Sequence, residues 1–156
     1  MSFQDQKSAK DAYAELMEQD TKRCLVDVRT NREWCANGVV DLSLSHNKVV
    51  LCEWRRQPSM NINELFFEEL VKKLDLKHVE DLYFICAAGV RSQEALQYTR
   101  FKLEELALKI NCINISDGFE GNTNKIFNYG IDSGWKASGL PFREFDDLTL
   151  TTEVKG

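Results

Sequence analysis

The sequence predicts an α/β fold: an open, mostly parallel sheet of about five strands with helices on both faces. Two observations carry this. Four short apolar runs, Cys24–Val28, Val49–Cys52, Leu82–Ile85 and Cys112–Ile115, are continuous rather than alternating, the pattern of strands covered on both faces. Between them lie stretches with apolar residues at i, i+3 and i+4, and strands alternating with such helices imply right-handed βαβ crossovers. Sheets of this kind bind ligands beyond the carboxyl ends of their strands, so the residues that follow each run are where chemistry is expected.

In chain order, Ser8 with Asp11 makes a capping-box-like start, and Ala9, Ala12, Tyr13, Leu16 and Met17 then share one face of a packing helix. The run Cys24–Val28 places Asp27 and Arg29 at a carboxyl edge. Thr30-x-x-Glu33 is a second capping box, opening a short helix with Trp34 and Cys35, and capping accounts for Glu33 without a further role. The stretch from Glu53 to Ile62 is the least periodic in the chain and is expected to be a loop. Its Trp54, Arg55 and Arg56 form either an exposed surface turn or a lid over the site. Asn63 is placed to cap a helix whose apolar face is Phe66, Phe67, Leu70, Val71 and Leu74. The strongest helix is expected over Ser92–Ala107, with Ala95, Leu96, Thr99, Leu103 and Leu106 at helical spacing. Asp117-Gly118 supplies a turn after the last strand, and Asn122–Ser133 is polar and expected to be irregular.

A chain of 156 residues with 43% hydrophobic composition suits one domain, residues 1–156. A net charge of −5 with scattered lysines and arginines argues against nucleic acid or an anionic membrane surface as partner, leaving a small molecule or another protein. No apolar run approaches the ~20 residues of a membrane span, and Met1–Lys10 lacks the apolar centre of a secretory signal. Five cysteines without a C-x-x-C pair and two histidines suggest neither a disulfide framework nor a zinc site, so a reducing cytoplasmic setting is expected, with no metal or organic cofactor.

Chemistry concentrates in Asp81–Leu96. Cys86 stands where the strand Leu82–Ile85 ends and a helix is about to begin. The residues Ala87, Ala88, Gly89 and Val90 between Cys86 and Arg91 are small or medium-sized, and the glycine lets the backbone curl so that its N–H groups converge on the sulfur. Those dipoles and the helix N-terminus both favour a negative charge, the setting of a nucleophilic thiolate. Cys24, Cys52 and Cys112 lie on apolar strands and are expected to be inert core residues.

The segment Cys86-Ala-Ala-Gly-Val-Arg-Ser92 resembles the active-site loop of the rhodanese-like sulfurtransferases: cysteine, two variable residues, glycine, one variable residue, arginine, then serine or threonine. Leu25-Val-Asp-Val-Arg29 followed by Glu33-Trp34 is similar to that family's first long strand and the motif after it. Asp117-Gly-Phe-Glu-Gly121 and Gly134–Pro141 resemble its closing segments, so the likeness runs from about Leu25 to Pro141. The resemblance implies a rhodanese-like fold and a sulfane sulfur carried as a persulfide on Cys86. The donor would be thiosulfate, mercaptopyruvate or a persulfidated protein, and the acceptor a thiol or cyanide. Arg91 would attract the anionic donor or pair with Asp27, and Asp27 and Arg29 would brace the loop. A cysteine phosphatase or arsenate reductase, or a catalytically silent interaction module, are the alternatives within the same fold. The phosphatase loops are one residue longer. Gly38-Val-Val-Asp-Leu-Ser43 departs from the family pattern and leaves the path into the next strand open.

Overall fold

In the computed structural model, residues 5–18, 21–121 and 133–146 are described. In chain order they form β1 (Gln6–Lys7), α1 (Ala9–Leu16), β2 (Arg23–Asp27), α2 (Asn31–Asn37), β3 (Val39–Val40), β4 (Lys48–Leu51), β5 (Arg55–Arg56), β6 (Asn61–Ile62), α3 (Phe66–Lys73), β7 (Asp81–Ile85), α4 (Val90–Glu105), β8 (Asn111–Ile115) and β9 (Phe142–Arg143). Five strands build one sheet in the order β1-β8-β7-β2-β4, with every neighbouring pair parallel. The four apolar runs are its inner strands and one edge. Its other edge, β1, carries no apolar signal: Gln6 and Lys7 are polar, and the strand exists through backbone pairing to Asn114 and Ile115.

Alternate residues along each inner strand feed two separate cores, as the two-residue period of a strand requires. Cys24, Val26, Leu82, Phe84 and Cys112 face Phe66, Leu70, Ala95, Leu96 and Leu103 of α3 and α4. Leu25, Tyr83, Ile85, Ile113 and Ile115 face Ala9, Ala12 and Leu16 of α1, with Phe119 and Trp135. Both faces are therefore covered by helices. From β2 the chain moves outward to β4, then returns through α3 to the opposite side of β2 as β7. The strand order reverses there, and the crevice beyond the carboxyl ends of β2 and β7 is where an open sheet receives a ligand. Asp27 and Ile85, the last residues of these two strands, are register partners.

Both helix starts sit where the sequence places them, the first as a simple serine cap and the second as a full capping box. Ser8 accepts from the Asp11 N–H at the start of α1, and Thr30 and Glu33 cap α2 reciprocally. Three local expectations are corrected. Glu53–Ile62 is not an irregular loop: Arg55 and Arg56 pair antiparallel with Ile62 and Asn61 in a small hairpin whose two-residue strands are too short to show a period. Asn63 does not cap α3. Its Oδ1 accepts from the Leu65 N–H at 3.0 Å, a turn that precedes the helix, and Leu65 itself is the cap without a side-chain bond. α4 begins at Val90 rather than Ser92, because Gly89 takes the left-handed conformation at its N-cap. After the departure at Gly38, Val39 and Val40 leave the main sheet and pair with Arg143 and Phe142. Of the polar segment Asn122–Ser133, residues 122–132 lie outside the described residues. No helix among the described residues is long and apolar enough to cross a membrane.

Candidate active site

Cys86 follows β7 directly and is 1% exposed. Its Sγ accepts a hydrogen bond from the Gly89 N–H at 3.1 Å and lies 3.1 Å from Ser92 Oγ, so the loop turns its glycine amide and the first turn of α4 onto the sulfur. The loop is held from behind by the turn after β8. The Phe119 N–H donates to the Cys86 carbonyl at 2.8 Å and the Glu120 N–H to the Ala87 carbonyl at 2.9 Å. Contact between the two segments is close enough to require glycine on each. A Cβ at Gly89 would stand 2.3 Å from the Ser116 carbonyl oxygen, and one at Gly118 would stand 2.3 Å from the Ala87 carbonyl oxygen. Ala88 belongs to the same turn, and Val90, at the first helical position, points into solvent.

Arg91 does not pair with Asp27. It donates from Nη1 to Glu33 Oε1 at 2.7 Å and from Nη2 to Glu33 Oε2 at 2.8 Å, a bidentate pair joining α4 to α2. Burial works against the charge on Glu33, but the bonds and charge of Arg91 outweigh it and hold the carboxyl below the usual carboxylate range. The same hydrogen bonds raise Arg91, which also feels the charges of Cys86 and Asp27. Glu33 thus has a second role besides capping. The capping box explains its backbone position and gives no sign of its partner, which is 58 residues away in sequence.

Asp27 and Arg29 are fully buried and bound to each other, Nη2 to Oδ2 at 2.8 Å and Nε to Oδ1 at 3.1 Å. Arg29 also donates to the Gly38 carbonyl at 2.8 Å and stacks over the Phe119 ring at 4.1 Å. Because the Phe119 N–H holds the Cys86 carbonyl, this pair reaches the loop through Phe119. The Asp117 carboxylate takes the Ala9 N–H at 2.8 Å and the Gly134 N–H at 2.9 Å, tying the turn to α1 and to the closing segment.

The candidate lid is occupied elsewhere. Trp54 is buried against Phe66 and Tyr98 and donates from Nε1 to Glu94 at 3.0 Å. Arg55 pairs with the same Glu94 at 3.2 Å, and Arg56 pairs with Glu69. These partners fix the hairpin to α3 and α4. Ser92 is bonded beyond Cys86 to Asn114, a buried polar residue in the middle of β8 that the apolar reading of that strand passed over. All five cysteines are free. Burial pushes Cys24, Cys52 and Cys112 each up to about 12, whereas Cys35 is exposed on α2.

The family model described as "Rhodanese-like domain" matches residues 8–125. An uncharacterised protein of Rickettsia conorii is 35% identical over 143 residues, covering 92% of this chain and 99% of that protein. One from Rickettsia montanensis has the same identity and coverage. Among solved structures, the crystal structure of Rv0390 from M. tuberculosis superposes with a TM-score of 0.67 at 29% identity, covering 90% of this chain and 97% of that one. The matched span contains the β2 edge, the Cys86 loop and the Asp117 turn that clamps it, and by that match this chain belongs to the rhodanese-like domain family.

Proposed function

We propose that the chain is a sulfurtransferase that carries a sulfane sulfur as a persulfide on Cys86. The observation that supports this most directly is the setting of the sulfur: at the switch point of a parallel sheet, in a short glycine loop, with the Gly89 N–H aimed at Sγ. The Cys86 thiolate attacks the outer sulfur of a donor R–S–S⁻. A new S–S bond forms on Cys86, the S–S bond of the donor breaks, and its electron pair leaves on R–S⁻. A thiolate or cyanide then attacks the outer sulfur of the persulfide and returns Cys86 as thiolate. Loop N–H groups favour the anion in both states.

The residues around the sulfur favour a persulfide on a protein or small thiol over thiosulfate. Thiosulfate is a dianion, and Ala87 and Ala88 offer no side-chain donor to it. Arg91, the nearest cation in the loop, is already bound at both ends of its guanidinium fork to Glu33. Arg55 and Arg56 are committed to carboxylates of their own. Arg91 is assigned to holding the loop against α2, and Asp27 with Arg29 to bracing it through Phe119. Five free cysteines fit a reducing compartment such as the cytoplasm.

Intact-mass spectrometry after brief incubation with thiosulfate, mercaptopyruvate or a persulfide tests the reading. A single added sulfur atom is expected, removed by cyanide or a thiol and absent in Cys86→Ser. Cys24, Cys52 and Cys112 stay unlabelled because burial keeps them protonated. Sulfur loading that survives Cys86→Ser would refute it.

A further inference from the structure

Ser92 has one proton to give and two neighbours that could take it. Its Oγ lies 2.6 Å from Asn114 Oδ1 and 3.1 Å from Cys86 Sγ. The Asn114 amide decides between them. Its nitrogen donates to the Gly89 carbonyl at 3.1 Å and to Gln6 Oε1 at 2.9 Å, and Gln6 in turn donates to Gln93 Oε1 at 2.7 Å. A backbone carbonyl can only accept, so the NH₂ group must face Gly89 and the amide oxygen must face Ser92. That oxygen also can only accept. Ser92 therefore gives its proton to Asn114 and turns a lone pair toward Cys86, where it accepts the S–H. All three residues are buried, with Asn114 3% exposed, so solvent does not offer a substitute donor.

We propose that Asn114 is a positioning residue that sets the direction of the Ser92–Cys86 hydrogen bond and so restrains ionisation of the sulfur. When Cys86 loses its proton to buffer, Ser92 must rotate its O–H onto the anion, and Asn114 Oδ1 is left buried without a donor. That loss opposes the thiolate in the resting site, in balance with the Gly89 N–H, which favours it. The charged groups around Cys86 are Arg91 from α4, bound to Glu33 of α2, and Asp27 from β2, bound to Arg29; the clamping turn adds Asp117, bound to the Ala9 and Gly134 N–H groups, and the exposed Glu120, with Lys136 over the Phe119 ring. β7 adds no further charge at this end, and β8 and β1 contribute the neutral Asn114 and Gln6. A change at Asn114 therefore alters the hydrogen bonding and leaves the charges in place.

The inference rests on Cys86 being the reactive sulfur, but its test needs no sulfur donor. In a Cys35→Ser background, the rate of Cys86 alkylation by iodoacetamide is followed against pH by mass spectrometry of the Cys86 peptide. Asn114→Leu removes the acceptor and frees Ser92 to donate to the sulfur, so the midpoint falls by about one pH unit, tenfold in thiolate fraction. Asn114→Ala, which admits a water, shifts it in the same direction. Adding either substitution to Ser92→Ala produces no further shift, since the hydroxyl through which Asn114 acts is gone. A midpoint that stays or rises in the Asn114 variants, or one that falls equally without Ser92, overturns the inference. A failure to load sulfur while the alkylation profile moves as expected overturns the proposed function and leaves this inference standing.

Discussion

Replacing Gly118 by alanine puts a methyl group where the active-site loop runs. Its Cβ would lie 2.3 Å from the Ala87 carbonyl oxygen, 2.6 Å from the carbonyl carbon and 2.8 Å from the Ala88 nitrogen, all of them backbone atoms that cannot swing aside. Ordinary contact begins at 3.4 Å, so the turn and the loop must part by about 1 Å. Parting them strains or breaks the bonds from the Phe119 and Glu120 N–H groups to the Cys86 and Ala87 carbonyls. Two such bonds contribute roughly 0.5–1.5 kcal/mol each. The left-handed backbone at Gly118, φ +67°, costs alanine roughly 1–2 kcal/mol more. The sum is roughly 2–5 kcal/mol, which for a chain of this size lowers the melting temperature by roughly 10 °C. Displacing the loop by that distance costs on the order of 10²-fold in the rate of sulfur loading. Gly139→Ala is the matched control: φ is +77° and nothing lies within 4 Å of its Cβ, so it carries the backbone cost alone, about 1–2 kcal/mol, with loading unchanged. Thermal melts by circular dichroism and timed loading by intact mass compare the two. If Gly118→Ala melts with Gly139→Ala and loads sulfur at the parent rate, the clamp does not hold the loop.

Glu33→Gln keeps the side-chain shape and the capping bond to Thr30 but removes the charge opposite Arg91, and costs about 1–2 kcal/mol at pH 7. Because the native carboxyl of Glu33 is held below its ordinary value, its stabilisation is present above the unfolded value of ~4.3 and is lost as the pH falls through the native one. Parent and variant should therefore melt together in strong acid, and an equal gap at both pH values would assign the loss to packing. Aryl phosphates should not be hydrolysed at a useful rate, since four residues between Cys86 and Arg91 make a loop too small to surround a phosphoryl group; robust turnover would show that loop size does not discriminate. Ala87→Arg should lower the Michaelis constant for thiosulfate by about one to two powers of ten by adding a charge-assisted bond. Combined Arg55→Ala and Arg56→Ala should leave that constant unchanged, and a rise would mean that the hairpin reaches the site after all.

What could be read from the residues alone was local. Continuous apolar runs identify Cys24–Val28 and Leu82–Ile85 as inner strands to within a residue, because a strand covered on both faces needs apolar side chains at every position. The spacing of Cys86, Gly89, Arg91 and Ser92 marks the loop, because a tight turn between strand and helix restricts residue types over a few neighbouring positions. Ser8 and Thr30 announce their helices for the same short-range reason.

Pairings between distant segments were decided by the tertiary structure. Glu33 and Arg91 are each explained locally, one as a cap and the other as a first-turn arginine, and only the reversal of strand order between β2 and β7 brings α2 beside α4. The β1 edge and the β5–β6 hairpin are too short to carry a period and exist through backbone bonds to partners already in place. Asn114 reads as an interruption of an apolar strand, yet it sits where β8 passes behind Ser92 and Gly89. A side chain's own sequence determines the backbone it rides on; what that side chain meets is determined by the segments the fold packs against it.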